Sequence, residues 1–374
     1  MKKLSSSMLS ILLLLSMVIV AFKAQPISAS GTVYIRADGH VEGTAYILTA
    51  DNVDYVFSAN INVTSIVVER SNIVIDGAGY MLQGPGVQEY EARGIWLSRK
   101  SNVTIKNMSI RAFYYGIWLY NSSRNNIFRI NATDNFHGIV FESSSYDNVT
   151  ASSISNNDLG VFLLSSSNDI ISENDVSGNA DGIFLEHSQD NIFWGNNATS
   201  NKDYGIYLWN SDKNVFCGNS VEDNNYGLLL TLGSSENYIY HNNFINNTFQ
   251  VHDQSIESQS MSPSMNIWEN DYRGNYWSDY NGTDHDNNGI GDTQYTIDKN
   301  NNDRYPLMSP ASGQFIPPET QTEEVPLWMI WWFWVIIAVI IVGAVISIAL
   351  LKRRKPQLMS VKESTLAARE KTET

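Results

Sequence analysis

A chain of 374 residues with a single cysteine, Cys217, can form no disulfide within itself. An exported fold built from it must be held by packing and hydrogen bonds. Basic residues are scarce as well: 24 Lys and Arg stand against 39 Asp and Glu, for a net charge of -15. That balance argues against a nucleic-acid partner and suits a cation-binding or merely soluble extracellular surface. Histidine is rare, with six residues (His40, His137, His187, His241, His252 and His285) that share no common spacing. No L-x-x-L-x-L frame and no helical return limb is visible, which excludes leucine-rich repeats. What the chain has is Asn, Gly, Ser and Asp in quantity, cutting a 43% hydrophobic sequence into short pieces. That is the composition of many short strands joined by tight turns.

Two runs address a membrane. Met1-Lys2-Lys3 precedes an apolar stretch at 8–22 and the small residues Ser28-Ala29-Ser30, the layout of a signal peptide over 1–30. Residues 325–351 form an uncharged run of 27 residues, long enough to cross a bilayer, and Trp328, Trp331, Trp332 and Trp334 lie at its start. Lys352-Arg353-Arg354-Lys355 ends the run and predicts that the tail, 352–374, is cytoplasmic. The chain therefore reads as a single-pass cell-membrane protein with an extracellular N-terminal ectodomain.

The ectodomain repeats one phrase. Gly94, Gly116, Gly138, Gly160, Gly182, Gly205 and Gly227 are separated by 22, 22, 22, 22, 23 and 22 residues. A fixed period of this length, with two or three short β-type runs per copy, predicts an all-β, right-handed parallel β-helix of about 22 residues per coil. Strand side chains alternate between faces, and the positions one and three after each Gly are apolar in every copy, from Ile95/Leu97 to Leu228/Leu230. They are expected to point inward. Recurring Asn residues (Asn102, Asn126, Asn148, Asn168, Asn191, Asn214, Asn237) are expected at the next corner, bonding to their own turn or to the adjacent rung.

Between the two inward positions lies one expected to face out: Trp96, Trp118, Val140, Phe162, Phe184, Tyr207 and Leu229. With rungs at ~4.8 Å this makes an apolar stripe. Trp96, Trp118, Phe162, Phe184 and Tyr207 are its candidate ligand-binding residues. A sugar platform or a protein surface is the functional expectation, and cover by residues 83–92 or by the segment after 250 is the structural one.

The opening segment GTVYIRADGHVEGT with YVFSANINVTSIVVERSNIVIDGAGYMLQG, the coils, and the tail GNYWSDYNGTDHDNNGIGDTQYTIDKNNNDRYPLM together resemble the NosD-like β-helix proteins across roughly 31–310. The resemblance implies a membrane-anchored surface member of archaeal type. The family's namesake supports copper-site assembly in an exported enzyme, and relatives share the fold with carbohydrate-binding and carbohydrate-cleaving proteins. Copper wants clustered His, Met or Cys. The six His fall in different rungs and columns, so a copper site is not expected here.

Asp284, Asp286, Asn288, Gly289 and Asp292 form D-x-D-x-N-G-x-x-D, which matches a calcium loop in which Ile290 offers its carbonyl. Tyr295 stands where a bidentate Glu is usual, so the expectation is a structural calcium ion of modest affinity; a solvated turn is the plain alternative. Asp158, Asp181 and Asp203 lie just before three successive glycines and are the candidate catalytic carboxylates, since glycoside hydrolysis needs two such groups ~5–9.5 Å apart. Asp beside Gly is also an ordinary turn residue. Nine N-x-[ST] sequons, at Asn62, Asn102, Asn107, Asn121, Asn131, Asn148, Asn197, Asn246 and Asn281, make glycosylation an expectation for the exported side.

The expected order is a signal peptide (1–30), β-helix (31–252), linker (253–265), calcium-loop module (266–310), polar stalk (311–324), transmembrane helix (325–351) and cytoplasmic tail (352–374). The leading expected function is a non-enzymatic surface scaffold or carbohydrate-binding protein. A polysaccharide hydrolase or lyase, and an accessory protein for exported copper enzymes, are the alternatives.

Overall fold

The computed structural model describes residues 31–257 and 262–312. The signal peptide, the stalk, the membrane run and the tail lie outside the described residues. Among the described residues no helix is long and apolar enough to cross a membrane.

The chain winds into a parallel β-solenoid. Its longest unbranched ladder is an 11-stranded sheet, in which strands such as Arg93–Ser98, Tyr115–Tyr120, His137–Glu142, Leu159–Leu164, Asp181–Glu186, Tyr204–Trp209 and Tyr226–Thr231 stack in register, one per rung. Ten of the eleven run parallel and so define nine turns; the other, Val41–Glu42, folds back antiparallel at the start. A 13-stranded sheet and a 4-stranded sheet close the remaining sides. In the first full coils one long strand, Val103–Arg111 or Asn126–Thr133, serves both remaining sides. Further along it splits into pairs such as Ile192–Trp194 and Asn197–Thr199.

The 22-residue period sets what lies inside. Ile95, Leu97, Ile117, Leu119, Ile139, Phe141, Ile183 and Leu185 are all buried, as are Phe193 and Phe216 from the 13-stranded sheet and Phe244 from the 4-stranded one. Phe193 and Phe216 stack at 4.7 Å. Each aligned Gly is buried beside the next rung's backbone. A Cβ on Gly182 would stand 2.6 Å from the carbonyl oxygen of Gly205 and 2.7 Å from Asn201 Nδ2, so no larger residue fits without displacing the rung.

The corners follow a two-residue rule. A residue in the left-handed region comes first, and a small polar residue with a buried side chain follows it. The left-handed positions accept many residue types, among them Arg124, Tyr146, Glu173, His187 and Lys213. The polar residue then bonds from rung to rung. Asn214 Oδ1 accepts the Asn191 N–H at 3.0 Å, while its amide donates to Ser188 O at 3.0 Å and to Asn237 Oδ1 at 3.1 Å. Ladders of this kind run through Asn157, Asn179, Asn201 and Asn224, through Asn174, Asn196, Asn219 and Asn242, and through Ser144, Ser166, Ser188 and Ser211. The N–H groups along these ladders thereby find partners in a place closed to water.

Here the asparagines expected in one column separate. Asn191, Asn214 and Asn237 are ladder residues, Asn102 and Asn168 occupy left-handed positions, and Asn126 and Asn148 start strands. The column's earlier members are Asn125, Asp147 and Asp169. Asn102, Asn126, Asn148 and Asn168 each lie one residue away from the ladder position, which Val103, Asn125, Asp147 and Asp169 occupy.

Past residue 262 the ladders continue. Asn237 N–H donates to Asn266 Oδ1 (3.0 Å), Asn266 N–H to Asn301 Oδ1 (3.0 Å), and Asn242 N–H to Asn275 Oδ1 (3.0 Å). Trp277 stacks on Phe244 at 4.6 Å, and both Trp268 and Trp277 are buried. The 262–312 segment thus carries the solenoid's hydrogen-bond columns onward and covers the open end of its core with two indoles.

Candidate functional site

The outer face of the 11-stranded sheet gathers the sequence's aromatic residues. Alternation fails at each Gly, because Gly and the following aliphatic residue are both buried, as in Arg93–Ser98 and its copies. The residue before Gly therefore also faces out. The face carries three parallel columns: Arg93, Tyr115, His137, Leu159, Asp181, Tyr204 and Tyr226; then Trp96, Trp118, Val140, Phe162, Phe184, Tyr207 and Leu229; then Ser98, Tyr120, Glu142, Leu164, Glu186, Trp209 and Thr231.

The central column is half-buried at Trp96, Trp118, Phe162, Phe184 and Tyr207, while Val140 and Leu229 are buried between larger neighbours. The expected continuous stripe is therefore two blocks. Trp96 and Trp118 stack at 6.0 Å, with the Arg93 guanidinium over both rings (4.9 and 4.8 Å). Phe162, Phe184 and Tyr207 form a second stack, with successive centroids 5.0 and 4.5 Å apart. Tyr115 and His137 connect the blocks: Tyr115 lies 4.8 Å from Trp118, and His137 stacks on Tyr115 at 5.1 Å and on Phe162 at 6.1 Å. Burial among these rings pushes the His137 imidazole down to about 4, so it is neutral at ordinary pH. Because ring faces are occupied by neighbouring rings, the surface presents ring edges, phenol hydroxyls and carboxylates. Glu142 accepts the Trp118 indole N–H at 3.1 Å, which fixes that ring. The insertion before Arg93 reaches this region through Tyr90, whose ring meets Tyr114 edge-on at 5.1 Å.

The three candidate carboxylates meet beside the second stack. Asp181 stands in the first outward column; Asp158 and Asp203 lie one residue earlier in their own coils. Burial and the nearby charges of Asp203 and Asp158 push the Asp181 carboxyl up to about 7. Tyr204 lies in the same field, its phenol raised by burial and by Asp181 and Asp203. Tyr115, Tyr204 and Tyr226 are part of this face and were not among the sequence candidates. The residue before each Gly was a readable column, but strict alternation gives it no reason to face out.

The loop at 284–292 is closed on itself by hydrogen bonds. Asp284 accepts the N–H groups of Asn288 (3.1 Å) and Gly289 (2.8 Å), and Asn288 Oδ1 accepts that of Ile290 (2.8 Å). Asp286 Oδ1 accepts from Asn288 N–H at 3.2 Å, and Gly289 makes the turn at φ +85°. Asp292 is turned to His285, taking its N–H at 2.9 Å and pairing with its ring nitrogen; that pairing raises the imidazole and lowers the carboxyl. Among the described residues no three of His, Cys, Asp and Glu stand together as a metal cage. The copper donors are likewise dispersed: His40 pairs with Asp38, His187 with Asn210, His252 with Glu257 and His285 with Asp292. Cys217 is buried against Tyr240, and its thiol is pushed up to about 11 by burial. The described donor set does not fit a copper centre.

Stacked parallel rungs, polar corner ladders and a decorated outer sheet define a parallel β-helix of the solenoid class. Residues 71–282, more than half of the chain, match the family described as periplasmic copper-binding protein (NosD), and the chain belongs to that family. Over 74 residues it is 43% identical to a Pseudomonas aeruginosa protein named "Probable ABC transporter binding protein NosD" and 42% identical to its counterpart in Stutzerimonas stutzeri. That stretch is 20% of this chain and only 16% and 15% of the two relatives, so their activity as whole proteins does not carry over. Among solved structures, a periplasmic alginate epimerase aligns with 62% of this chain and 68% of its own, at 18% identity and a TM-score of 0.45. DFA-IIIase from Arthrobacter chlorophenolicus A6 aligns with 63% of this chain and 71% of its own, at 13% identity and a TM-score of 0.45. At such values these likenesses say nothing about what this chain binds.

Proposed function

We propose that the protein is an exported, membrane-anchored binding protein that holds a neutral polysaccharide against the outer face of its 11-stranded sheet without cleaving it. The observation that carries this reading is the pair of half-buried ring stacks, Trp96–Trp118 and Phe162–Phe184–Tyr207, bridged by Tyr115 and His137 and flanked on both sides by carboxylates and phenols. Ring edges give an extended chain apolar contact, and Glu142, Glu186 and Tyr204 offer hydrogen-bonding groups to sugar hydroxyls. The acids Asp158, Asp181, Asp203, Glu142 and Glu186 would repel a polyuronate, so the ligand class is uncharged. The test is retention of the full-length chain on immobilised neutral and acidic polysaccharides, with the eluate assayed for released sugars. Retention on neutral polymers with no release supports the reading, and no retention on any polymer removes it.

A second reading rests on Asp181. A carboxyl raised to about 7, with Asp158 and Asp203 as charged neighbours, is the arrangement of a general acid with a partnering carboxylate. Sugar release that Asp181→Asn abolishes would make the protein a carbohydrate-active enzyme. Family membership supports a third role, as an accessory to exported copper enzymes; tight, stoichiometric copper binding by the full chain would favour it.

A further inference from the structure

We propose that Asp147 and Asp169 are held as neutral carboxylic acids that take the place of asparagine in a buried ladder, so that raising the pH loosens the middle of the solenoid. Both side chains are completely buried, on consecutive rungs of the column that runs from Asn125 to Asn237. One oxygen of each does what an asparagine oxygen does: Asp147 Oδ1 accepts from Asn125 N–H (2.7 Å) and Asn125 Nδ2 (2.8 Å), and Asp169 Oδ1 accepts from Asp147 N–H (2.8 Å). The other oxygens, Asp147 Oδ2 and Asp169 Oδ2, are buried without a partner. They occupy the place where an asparagine has its NH2.

On the following rung, Asn191 shows what that place demands. Its amide donates to Ser166 O at 3.2 Å and to Asn214 Oδ1 at 3.0 Å, both of them acceptors. A carboxylate set there would direct negative oxygen at oxygens, whereas a protonated carboxyl can donate one hydrogen bond. Among the described residues no cation acts on either acid. The residues stacked above and below are Asn125 and Asn191, which are neutral, and the titratable group facing each acid is the other acid. At the same corner Arg124 and Tyr146 turn outward and stack on each other at 5.6 Å, and Asp190 is exposed. The neighbouring serine ladder, Ser144 and Ser166, carries no charge. Burial pushes Asp147 up to about 7, and burial together with the Asp147 charge holds Asp169 well above the carboxylate range.

The sign follows from the raised folded values. The stability these acids contribute is fully present below the unfolded carboxyl value of about 4 and is lost as pH rises through their raised folded values, about 7 for Asp147, by roughly tenfold in the folding constant per acid per pH unit. The test compares the full-length parent with Asp147→Asn/Asp169→Asn. The melting temperature of the parent is expected to fall between about pH 4 and pH 8, and that of the variant to fall much less. Infrared spectra at mildly acidic pH should show a protonated carboxyl band in the parent that is weaker in the variant. The same pH slope in both proteins, or an unchanged carboxyl band, overturns the proposal. If the double variant fails to fold, Asp147→Asn alone is read in the same two ways.

Discussion

Two parts of each coil repeat with the same 22-residue period and yet are built to opposite ends. At the corners the repeated residue is small, polar and fully buried, and its hydrogen bonds close on the next rung, as at Asn196. On the outer face of the 11-stranded sheet most of the repeated residues are big and half-exposed, and they change identity from rung to rung: Trp96, Trp118, Phe162, Phe184, Tyr207, with the smaller Val140 buried among them. A column that satisfies itself can be explained by stability alone. A column that varies, stays partly open and gathers Asp181, Glu186 and Tyr204 around it is not explained that way, and it is the face we propose for a ligand. The difference teaches that periodicity by itself does not mark function in a solenoid; unfinished bonding does.

Breaking a corner should have the largest effect. Asn196→Ala removes the acceptor for the Asn174 N–H and the donors to Ile171 O and Asn219 Oδ1, all in the dry interior. A loss of about 3–5 kcal/mol is expected, read as a large drop in melting temperature or failure to accumulate folded protein. Gly182→Ala should come next. Its methyl would press on the Gly205 carbonyl and Asn201, with an expected cost of about 1–3 kcal/mol in the same measurement. Phe184→Ala with Tyr207→Ala should cost less stability, on the order of 1–2 kcal/mol, because both rings are already half in water. The smallest effect is expected from calcium. If the loop at Asp284, Asp286, Asn288, Ile290 and Asp292 takes the ion, fivefold excess over the dissociation constant should stabilise the protein by about 1 kcal/mol. Asp286→Ala should remove that gain; a parent indifferent to both calcium and chelator reduces the loop to an Asp/Asn-rich turn.

The parts of the comparison were unequally legible in the sequence. The glycine period and the inward pairs, such as Ile183 and Leu185, could be read directly, because seven copies share one chemical character at one spacing. The corner ladders were only half visible. Asp147 and Asp169 look like surface residues by type, and nothing in a carboxylate's identity says that it stands in for an amide. The outer face was also read incompletely, since burial of both Gly182 and Ile183 breaks alternation and turns Asp181 outward beside Phe184. That the three acids Asp158, Asp181 and Asp203 share one electrostatic neighbourhood required the register of the rungs, which differ by one residue in where the carboxylate falls.

The contrast between a closed corner and an open face is tested most directly by comparing the retention of the full-length parent and of Phe184→Ala/Tyr207→Ala on an immobilised neutral polysaccharide, with melting temperatures measured on the same samples. The account predicts that the parent is retained, and that the variant elutes with the unbound fraction while still melting cooperatively within a few degrees of the parent. Equal retention of the two proteins, or no retention of the parent, would contradict it.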